Sequence, residues 1–219
     1  MSSVPSRTVH EADALRWLVD HPLPSGASIA TSLPSFDEFS HRDPVRWRDW
    51  FVDAAALVLR STPQGSAAVF FQTDVRLEPA QGGGWIDKAF LVQLAAERER
   101  ATLRWHKLAL RAPAGIATGG RPGYAHLLCF APAGGSALRD DATADVLPQL
   151  GEMPWTRAVG VDVARFVVAW LKDHSGAHTI VDPFCGVGTF LAAANTAGLD
   201  AIGVEKNPGR CEKARALVL

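Results

Sequence analysis

The residues of this sequence best suited to chemistry lie in the run Asp182-Pro183-Phe184-Cys185-Gly186-Val187-Gly188-Thr189. An apolar stretch, His178 to Val181, leads into the run, and a helical pattern, Phe190 to Ala197, follows it. A strand, a Gly-x-Gly turn and a helix together present backbone N–H groups and a helix N-terminus to a ligand. Gly186 and Gly188 let the backbone come close where a side chain would intrude. The next strand, Ala201 to Val204, ends at Glu205, placed to accept hydrogen bonds from both hydroxyls of a ribose. On these residues alone the loop points to a nucleotide-like cofactor. A nicotinamide or flavin dinucleotide uses the same geometry, but its fingerprint wants a third glycine where Leu191 stands. A Walker loop is excluded because no Gly-Lys-Ser/Thr ending is present. A plain tight turn is the bland alternative, and the acid at the end of the second strand weakens it.

DPFCGVGTFLAAAN closely resembles the D-P-F-x-G-x-G-T cofactor loop of the S-adenosylmethionine-dependent amino-methyltransferases that act on nucleic acids. The segment GVEKNPGRCEKAR is similar to the family's ribose-binding segment, in which an acid ends the second strand. The resemblance implies a Rossmann-like α/β fold with a mostly parallel sheet and S-adenosylmethionine as cofactor. It implies that Asp182 contacts the methionine moiety, that Phe184 to Thr189 line the cofactor, and that Glu205, with Lys206 beside it, holds the ribose. Pro183 belongs to the same loop. Thr156, in Trp155-Thr156-Arg157 ahead of the helix entering the cofactor strand, would touch the methionine end.

Motif order carries further information. The strands come mostly before the loop, and two helix-covered strands could not bury a sheet by themselves, so the earlier strands must complete it. The order is therefore circularly permuted, and a permuted enzyme of this family carries its catalytic tetrapeptide, D-P-P-Y or S-P-P-Y, early and at a strand end. Thr31-Ser32-Leu33-Pro34-Ser35 stands at that place. Leu33 replaces the first proline, and Ser35 replaces the aromatic residue that would stack on an extruded base; Phe36 offers stacking one position further on. The Ser32 hydroxyl and the Leu33 carbonyl would accept hydrogens of the target amino group and turn its lone pair toward the sulfonium methyl, with Pro34 keeping the turn rigid. For Ser32 alone, a turn or capping serine is the ordinary reading.

Arg104, His106, Lys107 and Arg121 are expected on the substrate side. Ordinary strand and turn roles compete for each: a strand histidine with everyday partners for His106, a plain turn for Gly-Arg-Pro-Gly. Asp74 and Asp87 read as surface carboxylates or as lining of the substrate cleft, and Trp47 and Trp50 as helix residues. Between Arg98 and Arg121, Arg98, Arg100, Arg104, Lys107, Arg111 and Arg121 are opposed by Glu99 alone, which fits either a phosphate-binding face or a solvated rim.

The elements that must position these residues follow from periodicity. A short helix ends near His21, where Pro22 and Pro24 stop it, within an N-terminal extension over 1–24. A strand runs from Ala27 to Thr31. A helix from about Pro44 to Leu59 carries the stripe Trp47, Phe51, Ala54, Ala55 and Val58. Ala67 to Leu77 reads as one strand, Gly82-Gly83-Gly84 as a loop, Ile86 to Arg98 as helix, and Thr102 to Leu110 and Tyr124 to Phe130 as strands. Ala131 to Met153 reads as a variable, loop-like insertion. Val161 to Asp173 and Pro208 to Leu219 are helices. Alternating strands and helices argue for a parallel-rich sheet covered on both faces.

A chain of 219 residues fits one sizeable α/β domain over 1–219. With 47% hydrophobic residues and no apolar run near the roughly 20 needed to span a bilayer, no membrane role is expected. The N-terminus lacks a secretory apolar core, so a cytoplasmic location is expected. The three cysteines form no C-x-x-C pair, which suggests neither a disulfide framework nor a zinc knuckle, and no metal is expected. A net charge of −1 argues against a wholly basic nucleic-acid binder. The reading is a methyltransferase of exocyclic amino nitrogens in nucleic-acid bases. The short 131–153 stretch, in place of a large recognition domain, tilts the substrate toward RNA over DNA. A small-molecule or protein N-methyltransferase and a catalytically silent cofactor-fold subunit stay open, as does a homodimer.

Overall fold

The computed structural model describes residues 4–39, 43–134 and 141–219. Ten strands occur among them: β1 (Arg7–Glu11), β2 (Ala27–Thr31), β3 (Ala68–Gln72), β4 (Val75–Arg76), β5 (Trp85–Ile86), β6 (Thr102–Leu110), β7 (Tyr124–Ala131), β8 (Val146–Leu147), β9 (Thr179–Asp182) and β10 (Asp200–Glu205). The α-helices are α1 (Ala14–Asp20), α2 (Pro44–Ser61), α3 (Lys88–Glu99), α4 (Val161–Ser175), α5 (Thr189–Thr196) and α6 (Pro208–Ala216). Eight strands form one sheet in the order β1-β10-β9-β2-β3-β7-β6-β8, and β4 and β5 form a separate two-stranded ribbon. The strands from β1 to β3 in that order are mutually parallel; β7 runs antiparallel between β3 and β6. This is the mostly parallel, helix-covered sheet that the alternation of elements predicts.

Two apolar cores sit on the two faces. One joins α4, α5 and α6 to the sheet through residues such as Val163, Val167, Leu171, Phe190, Leu191 and Cys211. The other joins α1, α2 and α3 through Trp17, Trp47, Phe51, Val58, Leu91 and Val92. Central strands β2 and β3 are buried along their whole length, because helices cover both sides of them. The stripe of α2 faces the core as expected, with Asp43 capping the helix through Val45 and Arg46 N–H groups ahead of Pro44.

Three segments depart from the expected outline. Ahead of α1 the chain forms β1, which pairs with β10 at the sheet edge. Only Val9 of β1 is buried, so its sequence carries almost no apolar alternation to read. The expected strand over Ala67 to Leu77 breaks after Gln72, and its second part turns away as β4 to pair with β5. The expected insertion contains β8, which extends the sheet beside β6, while its residues 135–140 lie outside the described ones. No described helix is long and apolar enough to cross a membrane.

Candidate functional site

The loop after β9 adopts the geometry its glycines predict. Gly186 (φ +53°) and Gly188 (φ +84°) both occupy the left-handed region. A Cβ on Gly186 would meet no atom of the described residues within 4 Å, which leaves that backbone open to a ligand. A Cβ on Gly188 would lie 2.9 Å from the Cα of Ala214, so this glycine lets α6 pack on the start of α5. The loop is pinned to β10 by the Cys185 N–H, which donates to the Val204 carbonyl at 3.0 Å. Leu191, at the place of the missing third glycine, packs against Gly203 of β10. A Cβ there would sit 2.5 Å from Leu191 Cδ1 and 2.8 Å from Cys185 Sγ. The close helix–strand approach is thus kept, with the small residue on the strand and the large one on the helix.

β2 and β9 are parallel neighbours, so the turn after β2 and the loop after β9 emerge side by side. A direct bond joins them: Thr31 Oγ1 donates to Asp182 Oδ1 at 2.6 Å, and the Phe184 N–H donates to the same oxygen at 3.1 Å. Burial pushes the Asp182 carboxyl up to about 7, against the lowering effect of these two bonds and with further raising by Glu205. Glu205, 8% exposed at the end of β10, accepts the Asn207 N–H on Oε1 at 2.8 Å, and Arg210 stands 4.0 Å from its other oxygen. Two carboxyls therefore lie beside the loop, and their acceptor oxygens suit a ligand with hydroxyls better than a pyrophosphate.

In the turn, Ser32, Pro34 and Ser35 are half-buried and Leu33 is 2% exposed. The Leu33 carbonyl accepts Lys88 Nζ at 3.4 Å. Burial lowers this lysine to about 8, although Glu38, Asp74 and Asp37 raise it. Lys88 is not among the expected site residues; it begins α3, and no local spacing in the sequence links it to Leu33. Phe36 does not offer a stacking surface. It is 4% exposed and meets Trp47 edge-on at 5.8 Å, because Ser35 starts a short 3-10 turn, Phe36–Glu38, that rolls the ring into the core. The half-buried aromatics near the loop are instead Phe39, Trp50 and Phe184, with Trp50 lying 5.3 Å from Phe39 and 6.4 Å from Phe184 between ring centroids.

Thr156 is exposed, in a segment that reaches across the site. On one side Lys213 Nζ lies 3.4 Å over the Trp155 ring; on the other Arg157 pairs with Asp37, just past the turn. Arg157 holds φ +68°, a costly conformation for a non-glycine residue. A cleft of about 240 Å³ lies under this segment, between Pro154, Trp155, Val187, Lys213, Ala216 and Leu217. A larger one, about 530 Å³, is lined by Leu110 to Pro113, Pro148 to Met153 and Asp162 and includes no turn or loop residue. Pro183, Cys185, Val187 and Thr189 are buried within the loop, and Lys206 is exposed beyond Glu205.

The four expected substrate residues are not brought together. Lys107 is fully buried and pairs with Asp141 at 2.6 Å, in the core of α4, Trp105 and Trp170. Period two along β6 puts it on the face opposite His106, which explains the departure. Arg104 is half-buried at the irregularity between Leu103 and Trp105 that interrupts the pairing of β6 with β7. His106 Nε2 is 2.9 Å from Nδ1 of His126 on β7, whose Nε2 is 3.3 Å from Asp74 Oδ2. Arg121 is exposed in the link before β7. Of the cationic run, Arg98 pairs with Asp53, and Arg111 donates to Thr73.

No family model and no curated protein sequence matches the chain. Among solved structures it is similar to the PvuII DNA methyltransferase, which is cytosine-N4-specific, with a TM-score of 0.76 and 14% identity over 98% of this chain and 88% of that one. It is similar to a Thermus thermophilus protein assigned as a DNA modification methylase and solved with S-adenosylmethionine. There the TM-score is 0.74 and the identity 17%, covering 96% of this chain and 93% of that one. The M1.HpyAVI complex with S-adenosylmethionine gives 0.65 and 14%, over 96% and 98% of the two chains. At these identities the likeness establishes the fold alone: a Rossmann-like, mostly parallel sheet with helices on both faces.

Proposed function

We propose that this chain is an S-adenosylmethionine-dependent methyltransferase that modifies an exocyclic amino nitrogen of a nucleic-acid base, with DNA the favoured substrate. The observation that carries the reading is the Thr31–Asp182 bond of 2.6 Å, which ties an S-x-P turn to a cofactor-type loop in a methyltransferase fold. Several features support the cofactor. Gly186 leaves an open cradle, and Glu205 ends β10 with a carboxylate for the ribose. In this arrangement Asp182, Pro183 and Phe184 to Thr189 surround the ligand, Lys206 borders the ribose site, and Thr156 covers its methionine end. The loop follows β9 and the turn follows β2, an order that supports the reading of a circularly permuted enzyme.

Bound S-adenosylmethionine supplies an electrophilic sulfonium methyl. The protein's task is to orient a poor nucleophile, since the amino lone pair is delocalised into the base. Ser32 Oγ and the Leu33 carbonyl accept the amino hydrogens and hold the lone pair out of conjugation. Lys88 fixes the Leu33 carbonyl from behind, and Pro34 stiffens the turn. The nitrogen becomes acidic only after the methyl has transferred, so no strong base is needed beforehand. Phe39, Trp50 and Phe184 supply the aromatic surface that Ser35 and Phe36 do not. Arg104, His106 and Arg121 remain on the substrate side of this reading; Lys107 does not.

A preference for RNA rests on the short 131–153 stretch. DNA-directed neighbours of nearly the same length remove that argument, since the chain spans 93% of one and 88% of another. The test is incubation with methyl-labelled S-adenosylmethionine and, separately, unmethylated DNA and total RNA. Label on the amino groups of DNA bases is the expected result. Label on RNA alone reverses the preference, and label on neither, with cofactor binding demonstrated, refutes the enzyme reading in favour of a binding subunit or another amine substrate.

A further inference from the structure

Asp74, Asp87 and His126 lie far apart in the sequence, yet each brings one potential ligand atom to within 4.8 Å of the others. Asp74 follows β3 and precedes β4; Asp87 follows β5 and caps α3; His126 lies near the start of β7. Because Val75 pairs with Ile86, the two aspartates flank the base of the β4–β5 ribbon, and His126 anchors that base to the main sheet. Each side chain is already held by a second partner. Asp74 Oδ1 accepts the Lys88 N–H at 3.0 Å, Asp87 Oδ1 accepts the Phe90 N–H at 2.9 Å, and His126 Nδ1 lies 2.9 Å from His106 Nε2. The other ring nitrogen of His126, Nε2, is turned toward Asp74 Oδ2, 3.3 Å away. Two ligand atoms bound to one ion at about 2.1 Å in a tetrahedral site stand roughly 3.4 Å apart, so this pair already has the required spacing. Asp87 is exposed, and one of its carboxylate oxygens lies within 4.8 Å of the ligand atoms of the other two.

We propose that Asp74, Asp87 and His126 form a binding site for a divalent transition-metal ion, with His106 orienting His126 from behind. One imidazole and two carboxylates suit Zn²⁺ better than Mg²⁺, which prefers oxygen donors and keeps most of its water. Three protein ligands leave a coordination position for water. The ion staples the ribbon to β7 and fixes the start of α3, where Lys88 both donates its N–H to Asp74 and holds the Leu33 carbonyl. The inference does not depend on the methyltransferase reading, because its readout is metal binding.

The test uses untagged protein treated with a chelator, then titrated with Zn²⁺ and, for its visible absorption, Co²⁺. The expected result is one equivalent bound. His126→Ala and Asp74→Asn should abolish it, and His106→Ala should weaken it by about 10–100-fold. Zn²⁺ should also slow amide hydrogen exchange over residues 75–86 in the wild-type protein, a measurement that needs no variant. Absence of stoichiometric binding by the wild type, an equal response to Mg²⁺, or undiminished binding by a folded His126→Ala protein overturns the proposal.

Discussion

Replacing Thr31 with valine isolates the bond that joins the two halves of the site. The substitution keeps the shape of the side chain and removes the hydroxyl that donates to Asp182 Oδ1 at 2.6 Å. Burial holds the Asp182 carboxyl at about 7, against an ordinary value of 3.8. Between those values the folded protein keeps a proton that the unfolded chain releases, so this group makes stability fall as pH rises through the window. A hydrogen bond to an ionised acceptor contributes about 1.5–3 kcal/mol, and one to a neutral acceptor about 1 kcal/mol. The hydroxyl therefore favours the charged form by roughly 1–2 kcal/mol, or about one pH unit at about 1.4 kcal/mol per unit. In Thr31→Val the carboxyl should rise by that unit, and the declining part of the stability curve should extend further to the alkaline side. Urea unfolding followed by tryptophan fluorescence at pH 6 and pH 9 measures this. The variant should lose about 1 kcal/mol at pH 6 and about 1–2 kcal/mol more at pH 9. An equal loss at both values would mean that Asp182 does not ionise against Thr31, and the electrostatic account of the loop would fail.

Lys88→Met should stabilise the protein at pH 7 by about 1–3 kcal/mol, since a buried lysine lowered to about 8 penalises the folded state below that pH. The gain should vanish above pH 10, while methyl transfer, read with labelled cofactor, drops at least about tenfold for want of a donor on Leu33. Gly203→Ala should cost about 1–3 kcal/mol by overpacking against Leu191 and Cys185. Adding Leu191→Ala to it should cost less than the sum of the two single changes in chemical denaturation. Lys107→Met should lower stability by about 2–4 kcal/mol by removing the cation that pairs with Asp141, which keeps only its hydrogen bonds from Thr143 and Trp170, yet leave the transfer rate unchanged. A reduced rate in the folded variant would return Lys107 to the substrate side.

What was legible in the sequence is what depends on neighbours along the chain. The loop from Asp182 to Gly188 and the turn from Ser32 to Ser35 each lie within a few residues and announce their backbone through glycine and proline. The helical stripe of α2 is local in the same sense. The contacts that complete the site are not. Lys88 reaches Leu33 across 55 positions, His126 reaches Asp74 across 52, and nothing in the spacing of either pair links them. Gly203 reads as an ordinary strand residue until Leu191 is seen pressed against it. Phe36 and Lys107 depart from expectation for a related reason: a single 3-10 turn rolls one ring inward, and strand alternation sends the other side chain to the far face.

The Thr31–Asp182 bond also bears on how the chain becomes competent. It spans 151 positions, and the β2–β9 pairing that supports it is equally long-range. Closing so large a loop is slow compared with forming α2 or the β6–β7 hairpin, whose partners are near in sequence. Helices and the antiparallel part of the sheet should therefore be present before the loop and the turn meet. During refolding, ligand binding should lag behind the recovery of secondary structure. The site thus acts as a check on assembly, since a chain that has folded only its local parts holds one half of it and not the other.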